Sequence, residues 1–202
     1  MRQPFMTRSG VWPGAMIAVL MAGVLAACSS GSAGPGAVGL HTLLMNGKPA
    51  VASGPVTPGQ PGEFTAYVDN PAGGPVTLVS ASLIPIAGHP AGQLAAVAVA
   101  QRRGPMGFAR GWPPTSPVVP FAGARLGHGR ADVVFAMDGA RAGTNYMAAG
   151  LTIVYRYHGH RHTMRAYAAS VACVTKKAGG ATGACSAAAR QARQATQKLA
   201  AR

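Results

Sequence analysis

The stretch Glu63 to Asn70 reads Glu-Phe-Thr-Ala-Tyr-Val-Asp-Asn, and its apolar members Phe64, Ala66 and Val68 fall on every second residue. That period belongs to a strand with one face in a core and the other towards water. It returns at Ala131 to Met137, where Val133, Phe135 and Met137 align, and again in Leu151-Thr152-Ile153-Val154-Tyr155. Val76 to Ile84 is β-branched, and its alternation slips near Ser80, which predicts a bulge. Leu94 to Ala100 fits a helix or a strand, and the spacing of Val97 and Val99 favours the strand. Leu40 to Met45, ahead of Asn46-Gly47, is a further short candidate. The 28 glycines and 16 prolines supply turns between these runs, including a loop predicted over residues 54–62. Charged residues are only 11% of the chain, so little of it is built for a solvated helical surface. The pattern predicts an all-β domain over residues 40–175, an antiparallel sandwich of about seven strands.

Ahead of the strands, Arg2 and Arg8 precede an apolar run from Ala15 to Leu25 that ends in Leu25-Ala26-Ala27-Cys28. A basic start, a short apolar core and small residues before a cut site make an export signal. The run falls short of the roughly 20 residues a spanning helix needs. The four residues resemble the lipobox of bacterial prolipoproteins. That resemblance implies that residues 1–27 are removed as a signal peptide and that Cys28 is acylated. Residues 28–39, small and uncharged, then serve as a spacer. The product would be lipid-anchored to the cell membrane on its extracytoplasmic face, or to the outer membrane or its periplasmic side where the envelope has two membranes. With Cys28 lipidated, Cys173 and Cys185 are left as a pair in an oxidising compartment, where a disulfide is expected. Two free thiols or a metal pair are the alternatives, although no CxxC spacing supports a metal.

Removing Arg2 and Arg8 with the signal lowers the net charge from +14 to +12, and that excess attracts anionic lipid, polyanionic envelope polymer or nucleic acid without choosing among them. A codon bias towards Ala, Gly, Arg and Pro accounts for the same excess. A tether outside the cytoplasm favours envelope partners and leaves no nucleic acid expected. Residues 102–130 interleave arginines with Gly, Pro and aromatics, and long segments of this kind are usually functional or disordered. Within them Arg110 and Trp112, beside Pro113-Pro114, form a candidate partner surface, unless Trp112 folds back as a lid on the core. Further on, Asp138 to Tyr146 carries a glycine-bearing turn with a tyrosine shortly before the strand at Leu151. About a dozen residues here resemble the tyrosine corner of immunoglobulin-like sandwiches, while that family's Cys and Trp core pair is absent. The resemblance implies an immunoglobulin-like sandwich in which the Tyr146 hydroxyl bonds back to nearby backbone.

The sharpest chemical candidate is His158-Gly159-His160-Arg161-His162-Thr163-Met164, since His and Met suit an exported copper site. A two-residue turn containing Gly159 puts Leu151, Ile153 and Tyr155 on the same side as Met164, Ala166 and Ala168. A three-residue loop would set Arg165 and Tyr167 opposite them instead. The first arrangement leaves at most His160, His162 and Met164 as a metal set, with His41 and Met45 as distant recruits. A polar hairpin tip with no cofactor is the default. Catalysis is not expected: the carboxylates are Glu63, Asp69, Asp132 and Asp138 alone, and no GxSxG or HExxH motif appears.

Residues 176–202 are expected as a disulfide-closed loop and a basic tail. Ser186 is a plausible cap for a short C-terminal helix whose only large apolar residue is Leu199, so it reads as solvated or lying on an anionic surface. The leading functional expectation is a non-catalytic lipoprotein that binds or braces an envelope polymer, anionic lipid or envelope protein. An exported copper-handling protein and a weak polyanion binder are the alternatives.

Overall fold

A computed structural model of the chain describes residues 39–71, 74–102, 107–176 and 182–202. The signal segment and Cys28 lie outside these residues, as does all of the expected spacer except Gly39. The described strands form two sheets packed face to face, and one helix closes the chain. The first sheet runs β1 (His41–Thr42), β3 (Gly62–Asn70), β9 (Gly129–Asp138), β5 (Gln93–Ala100) and β7 (Val118–Pro120), with β6 (Ala109–Arg110) also on β3. The second runs β2 (Ala50–Val56), β11 (His160–Val174), β10 (Asn145–Tyr157), β4 (Val76–Pro85) and β8 (Arg125–Leu126). Seven strands hold seven or more residues, and the other four are two- or three-residue pieces. The domain is therefore the expected all-β sandwich.

The alternating runs make its core. Phe64 sits opposite Phe135 and Ala66 opposite Val133, and all four are fully buried. From the second sheet Leu78, Leu151, Ile153 and Ala166 meet them. The slip near Ser80 is a register shift: Leu78 opposes Tyr155 while Ser80 opposes Val154, so Val79 is the extra residue. The Arg141 N–H donates to the Tyr146 hydroxyl at 3.1 Å, closing the tyrosine corner on its own turn.

Three expectations need correction. Residues 54–62 are not all loop, because Gly54, Pro55 and Val56 complete β2, which pairs parallel with β11. β2 is the edge of its sheet, where a proline lacking its N–H costs no ladder bond. Residues 102–130 carry β6, β7, β8 and the start of β9. The lid in that segment is Phe108, not Trp112. Phe108 packs with its ring centroid 5.6 Å from that of Phe64, tilted against it, over Gly54 and Gly62, where a side chain would overlap the Phe108 ring. Trp112 is half-buried and does not pack on the core.

The third correction is the tail. Helix α1 (Thr182–Ala200) contains Ser186 inside it and packs on the second sheet. Cys185, Ala188, Ala192, Ala195 and Leu199 face Ile84, Met147, Ala169 and Val171. Their spacing of three and four residues is a stripe of mostly small side chains, which lets the helix sit close to the strands. Burial by close approach replaces burial by bulk. Cys173 and Cys185 are joined as a disulfide, and the Tyr167 hydroxyl donates to the Leu199 carbonyl at 3.1 Å.

Candidate functional site

All four carboxylates belong to the first sheet: Glu63 and Asp69 to β3, Asp132 and Asp138 to β9. The second sheet and the helix contain no acidic residue. Register then decides where their arginines stand. Arg125 of β8 pairs with Thr77 of β4, Thr77 with Arg156 of β10, and Arg156 with Arg161 of β11. Residues paired directly across strands project from one face. The neighbouring positions Leu126, Leu78 and Tyr155 are buried in the core, so this row lies on the outer face, where all three arginines are exposed. Like charges directly opposite each other destabilise a sheet. Arg156 and Arg161 are such a pair, and no carboxylate on their sheet relieves them.

The row stands at one end of the sandwich, next to the β10–β11 turn. His158 (φ 48°) and Gly159 (φ 80°) form that turn, and both need the left-handed backbone of a two-residue hairpin loop. The pairing is the expected odd–even one, with Ile153 opposite Met164 and Tyr155 opposite His162. The chain also enters the fold here. The buried Leu40 N–H donates to the Tyr155 hydroxyl at 3.3 Å, and Gly39 (φ 146°) rests against the same hydroxyl, where a Cβ would collide with it. Burial pushes the Tyr155 hydroxyl above its usual pKa, against a smaller opposing pull from that N–H.

Beside the row, a cleft of about 350 Å³ is lined by Arg102, Arg125, His128, Arg130 and Asp132, among others. Its acid is already engaged, since Arg130 donates to both oxygens of buried Asp132 at 2.8 and 3.3 Å. The same guanidinium lies 4.2 Å above the Tyr67 ring. Burial raises the Tyr67 pKa, Asp132 adds to the rise and Arg130 opposes it. A second cleft of about 190 Å³ holds Glu63, Thr65, Arg102, Thr115, Ser116 and Asp132. Burial raises the Glu63 carboxyl above its ordinary range. Asp132 is opposite Tyr67, four residues along β3 from Glu63, so the two backbone positions stand about 13 Å apart along the strand.

His160, His162 and Met164 alternate along one side of β11, with Met164 packed on the core and His160 exposed. The His162 ring stacks on Tyr155 at 5.4 Å, and His158 meets Tyr157 edge-on at 4.1 Å. Among the described residues, no three His, Cys, Asp or Glu side chains gather to hold a metal ion. Arg110 donates from Nε to the Pro55 carbonyl at 3.0 Å, tying β6 to β2, with Trp112 just beyond it. Among the described residues, no helix is long and apolar enough to cross a membrane. The arginine row is the feature that reading the sequence missed. Its one legible trace is that no acidic residue follows Asp138.

No family model matches the chain, and neither a curated protein nor a solved structure matches it.

Proposed function

We propose that this protein is a non-catalytic module of the cell envelope, held on the extracytoplasmic side of a membrane through an acylated Cys28, that binds an anionic component of that envelope. The observation that carries the binding half is the segregation of charge: every carboxylate is on the first sheet, while Arg125, Arg156 and Arg161 face water in one row on the second. A row of like charge works against the stability of its own sheet, so its benefit lies in a partner of opposite sign. The tether half is supported by the Leu25-Ala26-Ala27-Cys28 motif.

Intact mass of the native product tests the tether. The expected species begins at Cys28 and carries fatty acyl mass; one that keeps its first 27 residues, or lacks that mass, overturns it. Titration with a soluble polyphosphate tests the binding. Association should weaken steeply with salt and be lost when Arg125, Arg156 and Arg161 are all replaced by glutamine. Binding that ignores salt, or survives the triple replacement, refutes the reading.

A further inference from the structure

We infer that the domain stands with its hairpin tip towards the anionic bilayer that carries Cys28, so that the arginine row meets lipid headgroups. This deepens the function proposed above and rests on Cys28 being the tether. Three observations lead to it. The first is where the chain outside the fold ends. Leu40 is bonded to the hydroxyl of Tyr155, the residue next to Arg156, and the His162 ring is stacked on that tyrosine. The tether therefore joins the domain at the tip.

The second is reach. Ten residues lie between Cys28 and Gly39, so the two are at most about 40 Å apart even on a fully extended chain. The loop at the opposite end of the sandwich, around Ala140, is a further 40 Å or so away along β10, several Debye lengths from headgroups that the tip could touch. The third is charge. Arg125, Arg156, His158, His160 and Arg161 are exposed at this end. The acids nearby are Asp69 and Asp132 of the first sheet, and Asp132 is bonded to Arg130. The row spans four strands, about 14 Å of sheet, which suits an array of headgroups better than one bound ion. The helix adds to the polarity. It runs from Cys185, bonded at the far end of β11, to Leu199 beside Tyr167, so exposed Lys198 and Arg202 lie on its tip-ward side.

The test uses the whole native chain in vesicles of phosphatidylcholine alone or with one third phosphatidylglycerol. A fluorophore is placed on Thr163→Cys near the tip or on Ala140→Cys at the opposite end. The vesicles also contain phosphatidylcholine with a quencher on its headgroup. With phosphatidylglycerol present, the label at 163 should be quenched several-fold more than the label at 140. High salt, or the triple change Arg125→Gln, Arg156→Gln and Arg161→Gln, should remove that difference. Equal quenching at both positions overturns the inference, as does a difference that salt and the triple change leave intact. Protection of the label at 163 by polyphosphate but not by the bilayer also overturns it and assigns the row to a polymer. A chain that does not stay with pure phosphatidylcholine vesicles has no tether, which sinks the reading of Cys28 separately. In that case wild type should still bind phosphatidylglycerol vesicles on the order of 100-fold more tightly than the triple variant, and equal binding ends the inference.

Discussion

The two halves of the β10–β11 hairpin obey different rules. In the stem both faces are buried: Ala148, Ala168, Ala172 and Val174 face the sandwich core, while Met147, Ala149, Ala169, Val171 and Cys173 face the helix and its surroundings. Towards the tip only the inner face is buried, through Leu151, Ile153 and Tyr155, and the outer positions are Arg156, Arg161, Thr163 and Arg165. Between the halves lies an irregularity. The pairing shifts between Ala148 and Gly150, and Gly150 has φ 133° with the Ala166 carbonyl oxygen where a Cβ would be. A single strand pair thus carries a two-sided core at one end and a wet, cationic face at the other. What differs is cover: the helix lies over one half of the outer face and leaves the other to solvent.

The sharpest way to break that division is at its boundary. Gly150→Ala puts a Cβ against backbone in a conformation L-residues avoid, and should lower unfolding stability by upwards of about 3 kcal/mol in chemical denaturation. A loss below about 1 kcal/mol would mean that the register shift does not depend on this glycine.

Removing the staple tests the stem alone. Cys173→Ser with Cys185→Ser should cost about 3 kcal/mol, since the bond closes a loop of comparable length to those for which chain entropy gives that figure. Hydrogen exchange should show the α1 amides losing protection while the rungs from Ile153 to Met164 keep theirs. Equal loss in both would dissolve the distinction drawn between the halves.

At the tip, Tyr155→Phe leaves the buried Leu40 N–H without its acceptor and should cost about 1–2 kcal/mol, seen as faster exchange at Leu40. Unchanged exchange there would detach the first residues from the hairpin. Arg161→Glu should do the reverse to stability. Opposite charges across the rung from Arg156 should stabilise the hairpin by a few tenths of a kcal/mol at low salt, less at high salt, while weakening association with an anionic surface. If stability and association fall together, the row is structural.

The smallest effect belongs to the first sheet. Because burial raises the Glu63 pKa, the folded state holds that proton more tightly than the unfolded chain. The group's favourable contribution is therefore complete below its unfolded pKa and is lost as pH rises through the folded value. Glu63→Gln should accordingly stabilise at neutral pH, within about 0.5 kcal/mol, and the gain should vanish in acid. A gain that grows on acidification would reverse the sign assigned to this carboxyl.

Much of the sandwich was legible in the sequence. Phe64, Ala66 and Val68, or Val133, Phe135 and Met137, announce their strands because a two-residue period has one interpretation when turns bracket it. The hairpin register was legible too, because Gly159 and the apolar sets on either side agree on one loop length. Other parts resisted for physical reasons. Gly54-Pro55 looks like a loop until an edge position is known, since only there does a missing N–H go unnoticed. The short strands of residues 109–126 owe their existence to the strands they pair with rather than to any pattern of their own. The packing of the helix is hard to read from sequence because its buried stripe is largely alanine, and counting large apolar residues misses a contact made by closeness. Arg125, Arg156 and Arg161, 31 and 5 residues apart in sequence, share a row only through a bulge and three registers.

The order of side chains by itself determined that the chain would be β, where its main strands lie, which cysteines could pair and how the long hairpin turns. These are local matters, settled by periodicity and turn chemistry over a few neighbouring residues. Only the tertiary structure decided which half of the second sheet the helix covers, which strands place their arginines side by side, and that the chain enters beside them. Those outcomes depend on pairing between residues far apart along the chain, and no short window of sequence contains both partners.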